Sequence, residues 1–236
     1  MLNVILVECA LELVPTEISS LKEIQQHASR RKKKPTELLL DQSLHGRAMT
    51  KLEDSERRGR PDITYLCLMT LLETPLCKQG LLNVFLHLQD GRVVEVNPEV
   101  RLPRNYDRFV GLMEQLLVSG RVPPRGDALL SISDQSLSEL IRDLRQDSEE
   151  VTLLATEGGQ RVNIAELGRM FSACSGPVVF GVGAFPHGDF SSESRGLFNR
   201  EIELDTEVMM AWHVCAEVVW TYSREVDLIT KRFRQG

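Results

Sequence analysis

Hydrophobic and polar positions along the chain predict an alternation of strands and helices. The run Leu2–Val7 is apolar apart from Asn3 and rich in β-branched residues, which is typical of a strand buried on both faces. Pro177–Val182 has the same character, and Val151–Ala155 and Ala128–Ile132 are shorter runs of the same kind. Because such strands alternate with helical patterns, we expect an α/β fold with a parallel-type sheet covered by helices on both faces.

Apolar residues three and four positions apart predict the helices that connect these strands. The predicted helices are Thr16–Arg31, Asp62–Glu73, Tyr106–Leu117, Asp134–Arg145, Asn163–Phe171 and Glu207–Lys231. Leu81–Gln89 and Arg92–Asn97 flank an Asp-Gly pair, which is a strong signal for a β-hairpin. A short strand is expected at Glu37–Asp41, and a polar stretch follows it to Gly59.

These elements are expected to form one domain over residues 1–236 with two additions to its sheet. A chain of 236 residues is long enough to bury a sizeable core within a single large domain. The first addition is an inserted segment at about 28–59, and the second is the hairpin at about 81–97.

The charge of the chain is unevenly distributed. Lys and Arg number 28 against 34 Asp and Glu, and the net charge of −6 argues against a nonspecific polyanion binder. Residues 27–60, however, carry ten basic and five acidic side chains, a local charge of +5. Whether this basic segment contacts RNA or only solvent stays open, because a run such as Arg30–Lys34 is also typical of a solvated helix end.

Cysteine, histidine and serine positions exclude several classes of site. The five cysteines include no CxxC pair, so we expect neither a disulfide framework nor a zinc site. The five histidines lack metal-ligand spacing, and no serine lies in a nucleophile elbow. The apolar N-terminal run has no basic leader and is too short to cross a membrane, so we expect a cytoplasmic protein with no membrane contact and no metal.

An arginine-rich segment leads into the predicted helix at Tyr106–Leu117. It contains Arg101 and Arg104 before the helix and Arg108 in its first turn. Arginine is suited to bidentate contacts with phosphate and to stacking on bases, so this segment is a candidate nucleic-acid surface. The alternative is a set of surface arginines paired with nearby carboxylates at positions 99 and 107.

The segment Gly59-Arg60-Pro61-Asp62 places a carboxylate two residues after an arginine. Asp62 is expected to cap the helix that follows, as an aspartate often does at a helix start. It could also orient the guanidinium of Arg60, or act as a general base. These three interpretations stay open at this stage.

A glycine-rich loop follows the predicted strand Pro177–Val182. Its sequence GVGAFPHGD lacks the third glycine of a dinucleotide fingerprint, because that position is Pro186 and no helix begins there. An oxidoreductase that binds a dinucleotide is therefore disfavoured. A glycine-lined loop at the carboxyl end of a buried strand is nevertheless where α/β sheets bind ligands, and a plain glycine turn is the alternative. Thr156–Gly159 and Gly196–Ile202 are further loops expected to meet around the same ligand.

Several of these segments resemble one protein family. RPDI at 60–63, ETPLCKQG at 73–80 and EVNPEVRLPRNYDRFVGLMEQLL at 95–117 are similar to the nucleolar essential protein family of SPOUT-class RNA methyltransferases. PTELLLDQSLHGRAM at 35–49, VGAFPHG at 182–188 and GLFN at 196–199 resemble the same family. The resemblance extends over nearly the whole chain.

This resemblance implies a fold, an activity and partners. It implies N1-methylation of a pseudouridine in small-subunit rRNA, with S-adenosyl-L-methionine as the cofactor, during biogenesis of the small ribosomal subunit. It implies a SPOUT-type deep trefoil knot within about 150–231 and a homodimer packed through that region. Small-subunit rRNA and ribosomal assembly proteins are the implied partners. A non-catalytic rRNA-binding assembly factor on the same fold is the alternative function.

The resemblance also assigns residues to the two sites. The arginines that would contact rRNA are Arg60, Arg101, Arg104 and Arg108, and Asp62 would hold Arg60 in place. The residues that would line the cofactor pocket are Thr156, Gly183, Gly188, Leu197, Phe198, Asn199, Arg200, Glu201 and Ile202. Arg200-Glu201 departs from the aromatic–proline pair that is frequent in the family, although backbone contacts can survive such a change. The residue that accepts the N1 proton is not identified.

Overall fold

The computed structural model describes residues 1–145, 151–228 and 233, and its strands form one mixed sheet. The strands are β1 (Leu2–Cys9), β2 (Leu82–Leu88), β3 (Val93–Val96), β4 (Arg121–Val122), β5 (Leu130–Ser133), β6 (Thr152–Arg161), β7 (Val178–Gly183) and β8 (Arg200–Glu203). Their order is β4-β5-β3-β2-β1-β7-β6-β8. The half from β2 to β8 is parallel, whereas β3, β5 and β4 pair in antiparallel fashion. The parallel sheet is thus confirmed for five strands only, because the hairpin is part of the sheet and reverses the chain direction.

The helices cover the sheet unequally. They are α1 (Thr16–Ser19), α2 (Lys22–Arg31), α3 (Gln42–Met49), α4 (Pro61–Leu72), α5 (Pro75–Lys78), α6 (Tyr106–Ser119), α7 (Leu137–Arg145), α8 (Ile164–Ala173), α9 (Ser192–Arg195) and α10 (Ala211–Glu225). The larger apolar cluster includes side chains of α4, α6, α8 and α10, and the smaller one includes those of α7. Helices on both faces are therefore confirmed.

Strand β1 lies in the middle of the sheet and contributes to both apolar clusters. Val4 and Leu6 belong to the larger cluster, and Ile5 and Val7 belong to the smaller one. Successive side chains of a strand point to opposite faces, so burial on both faces requires an unbroken apolar run. This requirement explains why the sequence pattern predicted β1 correctly.

The chain between β1 and α4 forms a satellite segment, residues 10–60, that carries α1, α2 and α3. Its own apolar cluster includes Val14, Ile18 and Ile24, which precede the expected start of the insertion at residue 28. The buried carboxylate of Glu114 on α6 accepts hydrogen bonds from Arg31 at 2.9 Å and Lys33 at 2.5 Å, which ties this segment to the rest of the domain.

The prediction of a strand at Glu37–Asp41 is wrong. The chain forms a 3-10 turn at Pro35–Glu37, and Leu39 makes only an isolated bridge to Leu13. Leu38 and Leu40 are buried in the core of the satellite segment and Leu39 in the larger cluster, so the burial of this stretch does not come from a sheet. The polar stretch after it contains α3, which the apolar pattern did not predict.

Other differences concern element ends. The helix expected over 16–31 is two helices, and the last helix begins at Ala211 rather than at Glu207. Strand β8 was expected as a loop, because four residues at a sheet edge carry little hydrophobic pattern. The predicted end of the last helix, at 229–231, and the first residue of the expected knot region, at 150, lie outside the described residues.

Candidate functional site

Arg60 and Asp62 form a two-point ion pair at the start of α4. The Nε and Nη2 atoms of Arg60 donate to the two carboxylate oxygens of Asp62, each at 2.8 Å. This fork-to-fork geometry fixes the plane of the guanidinium. Hydrogen bonding to Asp62 raises the pKa of Arg60, so the guanidinium stays charged. Of the three interpretations of Asp62, the structure supports orientation of Arg60.

The local sequence explains this geometry. Pro61 is the first residue of α4 and Arg60 is the N-cap, so Asp62 falls inside the first turn instead of capping the helix. The cap expected at Asp62 is therefore wrong. Gly59 has a φ of +66°, and a Cβ there would lie 2.7 Å from Met49, so only glycine fits before Arg60.

Arg60 and Asp62 line an open cleft of about 430 Å³ together with Asp41, Gln42, Ser43 and Tyr106. The Tyr106 hydroxyl donates to Asp41 Oδ2 at 3.2 Å. Burial and the nearby Asp41 carboxylate raise the pKa of Tyr106, so this hydroxyl remains a protonated donor. The cleft thus offers one cation and several hydrogen-bonding groups.

A histidine pair supports the floor of this cleft. The Nδ1 atom of buried His45 accepts a hydrogen bond from the backbone N–H of Asp41 at 3.1 Å. Its Nε2 atom lies 2.8 Å from Nδ1 of His27. Burial and the neighbouring His27 lower the pKa of His45 to about 4. Neutral His45 must therefore carry its proton on Nε2 and donate it to His27.

Arg101, Arg104 and Arg108 are exposed and flank Tyr106, a residue of this cleft, in the sequence. Within residues 1–145, 151–228 and 233, none of the three side chains forms an ion pair or a hydrogen bond. The alternative of arginines paired with Glu99 and Asp107 is therefore wrong. Tyr65 donates its hydroxyl to the Arg104 carbonyl at 2.6 Å, which holds the loop while the guanidinium groups remain available for another molecule.

The carboxyl edge of the sheet brings together three of the residues predicted around a cofactor. Ala155 of β6 pairs with Val182 of β7 and with Ile202 of β8. Gly183 and Thr156 each follow one residue later, so Thr156, Gly183 and Ile202 lie at the same edge of neighbouring strands. This is the edge at which open α/β sheets bind ligands.

The loop after β7 approaches Gly183 closely. A Cβ at Gly183 would lie 3.0 Å from the Phe190 ring and 3.1 Å from the Phe185 ring. Gly188 has a φ of +87°, in the left-handed region that favours glycine. The backbone favours glycine at position 188, and a side chain at position 183 would press on two rings; the apolar rings with backbone polar groups beside them suit a flat heterocyclic ligand.

The other predicted cofactor residues lie on or before β8. Phe198 is buried with its ring against Gly181, and Leu197 packs beside it. Asn199 accepts from the backbone N–H of Thr152 at 2.8 Å, so it lies three residues along β6, or about 10 Å, from the edge just described.

Arg200 and Glu201 have separate surroundings. Arg200 lines another cleft, of about 480 Å³, with residues that include Gln160 and Arg169. Glu201 forms a two-point ion pair with Arg195, with N–O distances of 2.7 and 2.6 Å. The structure therefore does not bring the predicted cofactor side chains around a single described cavity.

The two predicted sites are linked through the backbone. The N–H of Arg60 donates to the Ala10 carbonyl at 3.1 Å, and the N–H of Ala10 donates to the Ala184 carbonyl at 2.9 Å. Ala184 directly follows Gly183, so two hydrogen bonds separate the arginine cleft from the glycine loop. The structure therefore joins two motifs that are more than 120 residues apart in sequence.

Sequence reasoning missed a buried ionic group at this junction. The carboxylate of Glu8, at the end of β1, accepts from Arg57 at 2.5 Å and from the Ser191 hydroxyl at 2.6 Å. Burial opposes ionisation of Glu8, but hydrogen bonds from Ser191 and Ser194 and the charge of Arg57 outweigh it and lower the pKa of Glu8. An acid at the end of a continuous apolar strand was the available signal.

The described residues include neither a metal cluster nor a membrane span. No cluster of three or more histidine, cysteine or acidic residues there could hold a metal ion. No helix among them is long and apolar enough to cross a membrane. The five cysteines form no disulfide, and burial raises the pKa of the Cys9 thiol, which therefore stays protonated.

Comparisons with known proteins agree on one family. A family model described as EMG1/NEP1 methyltransferase matches residues 4–223. The chain is 45% identical to the ribosomal RNA small subunit methyltransferase Nep1 of Thermococcus sibiricus over 222 residues, which cover 94% of this chain and 97% of the relative. It is 42% identical over 226 residues to the protein of that name from Thermococcus onnurineus, covering 96% and 100% of the two chains.

A solved structure is similar over almost the same length. The crystal structure of Archaeoglobus fulgidus Nep1 bound to S-adenosylhomocysteine superimposes with a TM-score of 0.85 at 36% identity. The match covers 95% of this chain and 98% of the other chain.

Proposed function

The chain belongs to the EMG1/NEP1 methyltransferase family, and on that premise we propose that it methylates small-subunit rRNA with S-adenosyl-L-methionine as the methyl donor. Relatives that bear this activity in their names match almost the whole chain. A similar protein has been crystallised with S-adenosylhomocysteine, the product that remains after methyl transfer. The proposed target atom is N1 of a pseudouridine.

One observation carries the proposal: an oriented arginine cleft lies two backbone hydrogen bonds from a glycine loop at the carboxyl edge of the sheet. Each part by itself could be purely structural, since surface arginines and glycine turns are common in proteins. Their contact through Ala10 gives one surface on which a polyanion and a small ligand can meet. A methyltransferase that acts on RNA needs that arrangement.

The arginines would bind the RNA backbone. Arg60 presents a guanidinium already fixed by Asp62, so little side-chain entropy remains to be lost on binding phosphate. Arg101, Arg104 and Arg108 have no carboxylate partner in the described residues, so they can neutralise phosphates without breaking an ion pair. Such contacts hold an RNA loop while a base turns out of its stack.

The glycine loop fits the cofactor. Gly183 packs closely against the Phe185 and Phe190 rings, and Thr156 and Ile202 border the same edge. The family resemblance adds Gly188 and the segment Leu197–Ile202, of which Ile202 borders this edge whereas Asn199 pairs with Thr152 and Arg200 lines another cleft. When bound, S-adenosyl-L-methionine supplies an electrophilic methyl group.

The residues of this chain would contribute mainly by positioning. The ribose of pseudouridine is attached through carbon, so N1 remains a free N–H that can be methylated once its proton leaves. Alignment of two reactants can lower a barrier by several kcal/mol, which makes a rigid cleft valuable. Asp62 is engaged by both oxygens with Arg60, so its proposed role is to orient that arginine and not to accept the proton.

We also propose a homodimer and the knotted connection implied by the family resemblance. The proposed dimer is supported by exposed apolar side chains: Val208 and Met210 before α10 and Trp220 within it are 73%, 55% and 48% exposed. Five cysteines without a disulfide support the proposal of a reducing compartment, in keeping with a cytoplasmic protein. Sedimentation equilibrium tests the dimer, and a monomer at micromolar concentration would contradict it.

The decisive experiment is mass mapping of an rRNA hairpin after incubation with the protein and S-adenosyl-L-methionine. We expect the mass of one pseudouridine to rise by about 14 Da, because methylation adds one CH₂. A matched uridine hairpin should remain unmodified because its N1 carries the ribose. Equal methylation of both hairpins would refute the proposed specificity. Binding of RNA without saturable binding of the cofactor would instead favour the non-catalytic assembly factor.

A further inference from the structure

We infer that Arg57 is a positioning residue that couples the cofactor loop to the RNA-binding arginine cleft. The inference rests on the proposed function, because it requires the cofactor to bind at the glycine loop and RNA to bind at the arginine cleft. Arg57 lies in the satellite segment, three residues before Arg60. Its side chain extends to the loop after β7, far away in the sequence.

Arg57 makes four kinds of contact at once. Its Nη2 atom donates to the Glu8 carboxylate at 2.5 Å, and its Nη1 atom donates to the Asp189 carbonyl. Its guanidinium carbon lies 4.3 Å from the centre of the Phe185 ring. The position where Gly188 would carry a Cβ lies 3.5 Å from Nη1. One side chain therefore contacts the cofactor loop at Phe185, Gly188 and Asp189.

Glu8 anchors this arginine in the sheet. Glu8 has a φ of +53°, a left-handed conformation that non-glycine residues seldom adopt and that clusters at functional sites. This backbone is held in place by a hydrogen bond from the Glu8 N–H to Nδ1 of His87 at 3.3 Å. The carboxylate binds Arg57 on one side and the Ser191 hydroxyl and N–H on the other. The unusual backbone thus directs a charge to the point where both sites meet.

The network continues along the proposed cofactor pocket. Ser191 caps the short helix α9, and Arg195 in that helix pairs with Asp189 at 2.6 Å and with Glu201 at 2.6 Å. Glu201 belongs to β8 and to the predicted cofactor set. Charged contacts therefore run from the satellite segment through Glu8 and the glycine loop to the last strand.

This arrangement has a thermodynamic consequence. A ligand that orders the glycine loop also immobilises Arg57, and with it the segment that leads to Arg60. RNA then binds to a segment that is already ordered, so its binding loses less conformational entropy. Thermodynamic linkage requires that RNA strengthen cofactor binding by the same factor as the cofactor strengthens RNA binding. We expect a saturating rRNA hairpin to tighten binding of S-adenosylhomocysteine by about fivefold or more.

Arg58 provides a matched control. It is the neighbouring residue and also pairs with a glutamate, in this case Glu12 through two hydrogen bonds of 2.8 and 2.6 Å. The two side chains are equally buried, with 21% of Arg57 and 22% of Arg58 exposed. Arg58 makes no contact with residues 183–191 among its described hydrogen bonds and ion pairs.

The experiment titrates S-adenosylhomocysteine into the full chain by calorimetry, with and without a saturating pseudouridine-containing rRNA hairpin. The variants are Arg57→Met, Phe185→Leu and Arg58→Met. Phe185→Leu removes the ring beneath the Arg57 guanidinium and leaves the ion pair between Arg57 and Glu8. This variant therefore still tests the coupling if Arg57→Met does not fold. The measured quantity is the ratio of the two dissociation constants, which a general loss of affinity does not change.

The inference predicts that Arg57→Met and Phe185→Leu bring this ratio to within about twofold of one, whereas Arg58→Met keeps the wild-type ratio. A wild-type ratio of one, or equal ratios for Arg57→Met and Arg58→Met, would overturn it while leaving the proposed methyltransferase intact. Failure of the wild-type protein to bind either ligand would refute the proposed function itself.

Discussion

Replacement of Asp62 by alanine should weaken rRNA binding without a contact between Asp62 and RNA. Asp62 holds Arg60 by two hydrogen bonds of 2.8 Å, so the variant leaves the arginine in place but free to rotate. Binding must then order that side chain again. Removal of a carboxylate by itself would favour binding of a polyanion, so a simple charge effect predicts a gain of affinity and orientation predicts a loss.

The magnitude follows from the cost of immobilising one flexible side chain. That cost is about 0.5–1.5 kcal/mol, which corresponds to a rise in the dissociation constant of roughly twofold to tenfold. Arg60→Ala removes the charged contact itself, about 1.5–3 kcal/mol, or on the order of 10- to 100-fold. Asp62→Asn should lie between the wild type and Asp62→Ala, because an amide oxygen can still accept one hydrogen bond.

A double-mutant cycle measured by fluorescence anisotropy tests this reasoning. The four proteins are the wild type, the Arg60→Ala and Asp62→Ala variants, and the double variant, each titrated with a labelled rRNA hairpin at one salt concentration. If Asp62 acts only through Arg60, its replacement costs nothing in the Arg60→Ala background. An equal loss in both backgrounds would refute orientation, since Asp62 would then contact RNA or support the fold. Cofactor affinity should stay unchanged throughout.

Three further predictions follow from the same contacts. Arg101→Ala or Arg104→Ala should weaken hairpin binding and lower the slope of log affinity against log salt by about one, with cofactor affinity unchanged; parallel losses of both affinities would mean that the arginines support the fold. Gly183→Leu should abolish calorimetric binding of S-adenosylhomocysteine but spare RNA binding, because even its Cβ would lie 3.0 Å from Phe190; retained cofactor binding would contradict the proposed pocket. His45 has its pKa lowered from 6.5 to about 4, so it contributes stability that is present above pH 6.5 and lost as the pH falls toward 4. Urea unfolding should therefore show stability falling by at most about 3 kcal/mol across that window, and an equal fall in His45→Gln would contradict this origin.

The sequence pattern correctly predicted the elements whose signal lies within a few neighbouring residues. β1 and β7 are mainly apolar on both faces, so their burial is visible in the sequence as apolar runs, and the hairpin is marked by its Asp-Gly turn. Local patterns failed where burial came from elsewhere. The stretch Leu38–Leu40 resembles a strand, but Leu38 and Leu40 fill the core of the satellite segment and Leu39 joins the larger cluster. The four residues of β8 form a strand because β6 lies beside them.

The candidate arginines were identifiable from residue type and spacing, and the family resemblance predicted a cofactor site at the glycine loop. The contacts that these residues make in the folded protein were not predictable from the sequence. Whether Arg104 is paired depends on which carboxylates the fold brings near it, and whether Asp62 caps a helix or holds Arg60 depends on where α4 begins. A proline at the first helical position was the local signal that would have settled the second question.

The sequence by itself determined an α/β chain with a basic, arginine-bearing segment and a glycine loop after a buried strand, because hydrophobic periodicity and turn chemistry act over a few residues. Only the tertiary structure decided that these parts meet. Glu8, Arg57 and Ser191 are separated by 49 and 134 positions along the chain, yet one carboxylate binds the other two side chains. The order of strands β1 and β7 in the sheet creates that contact, and no local pattern records which strands become neighbours.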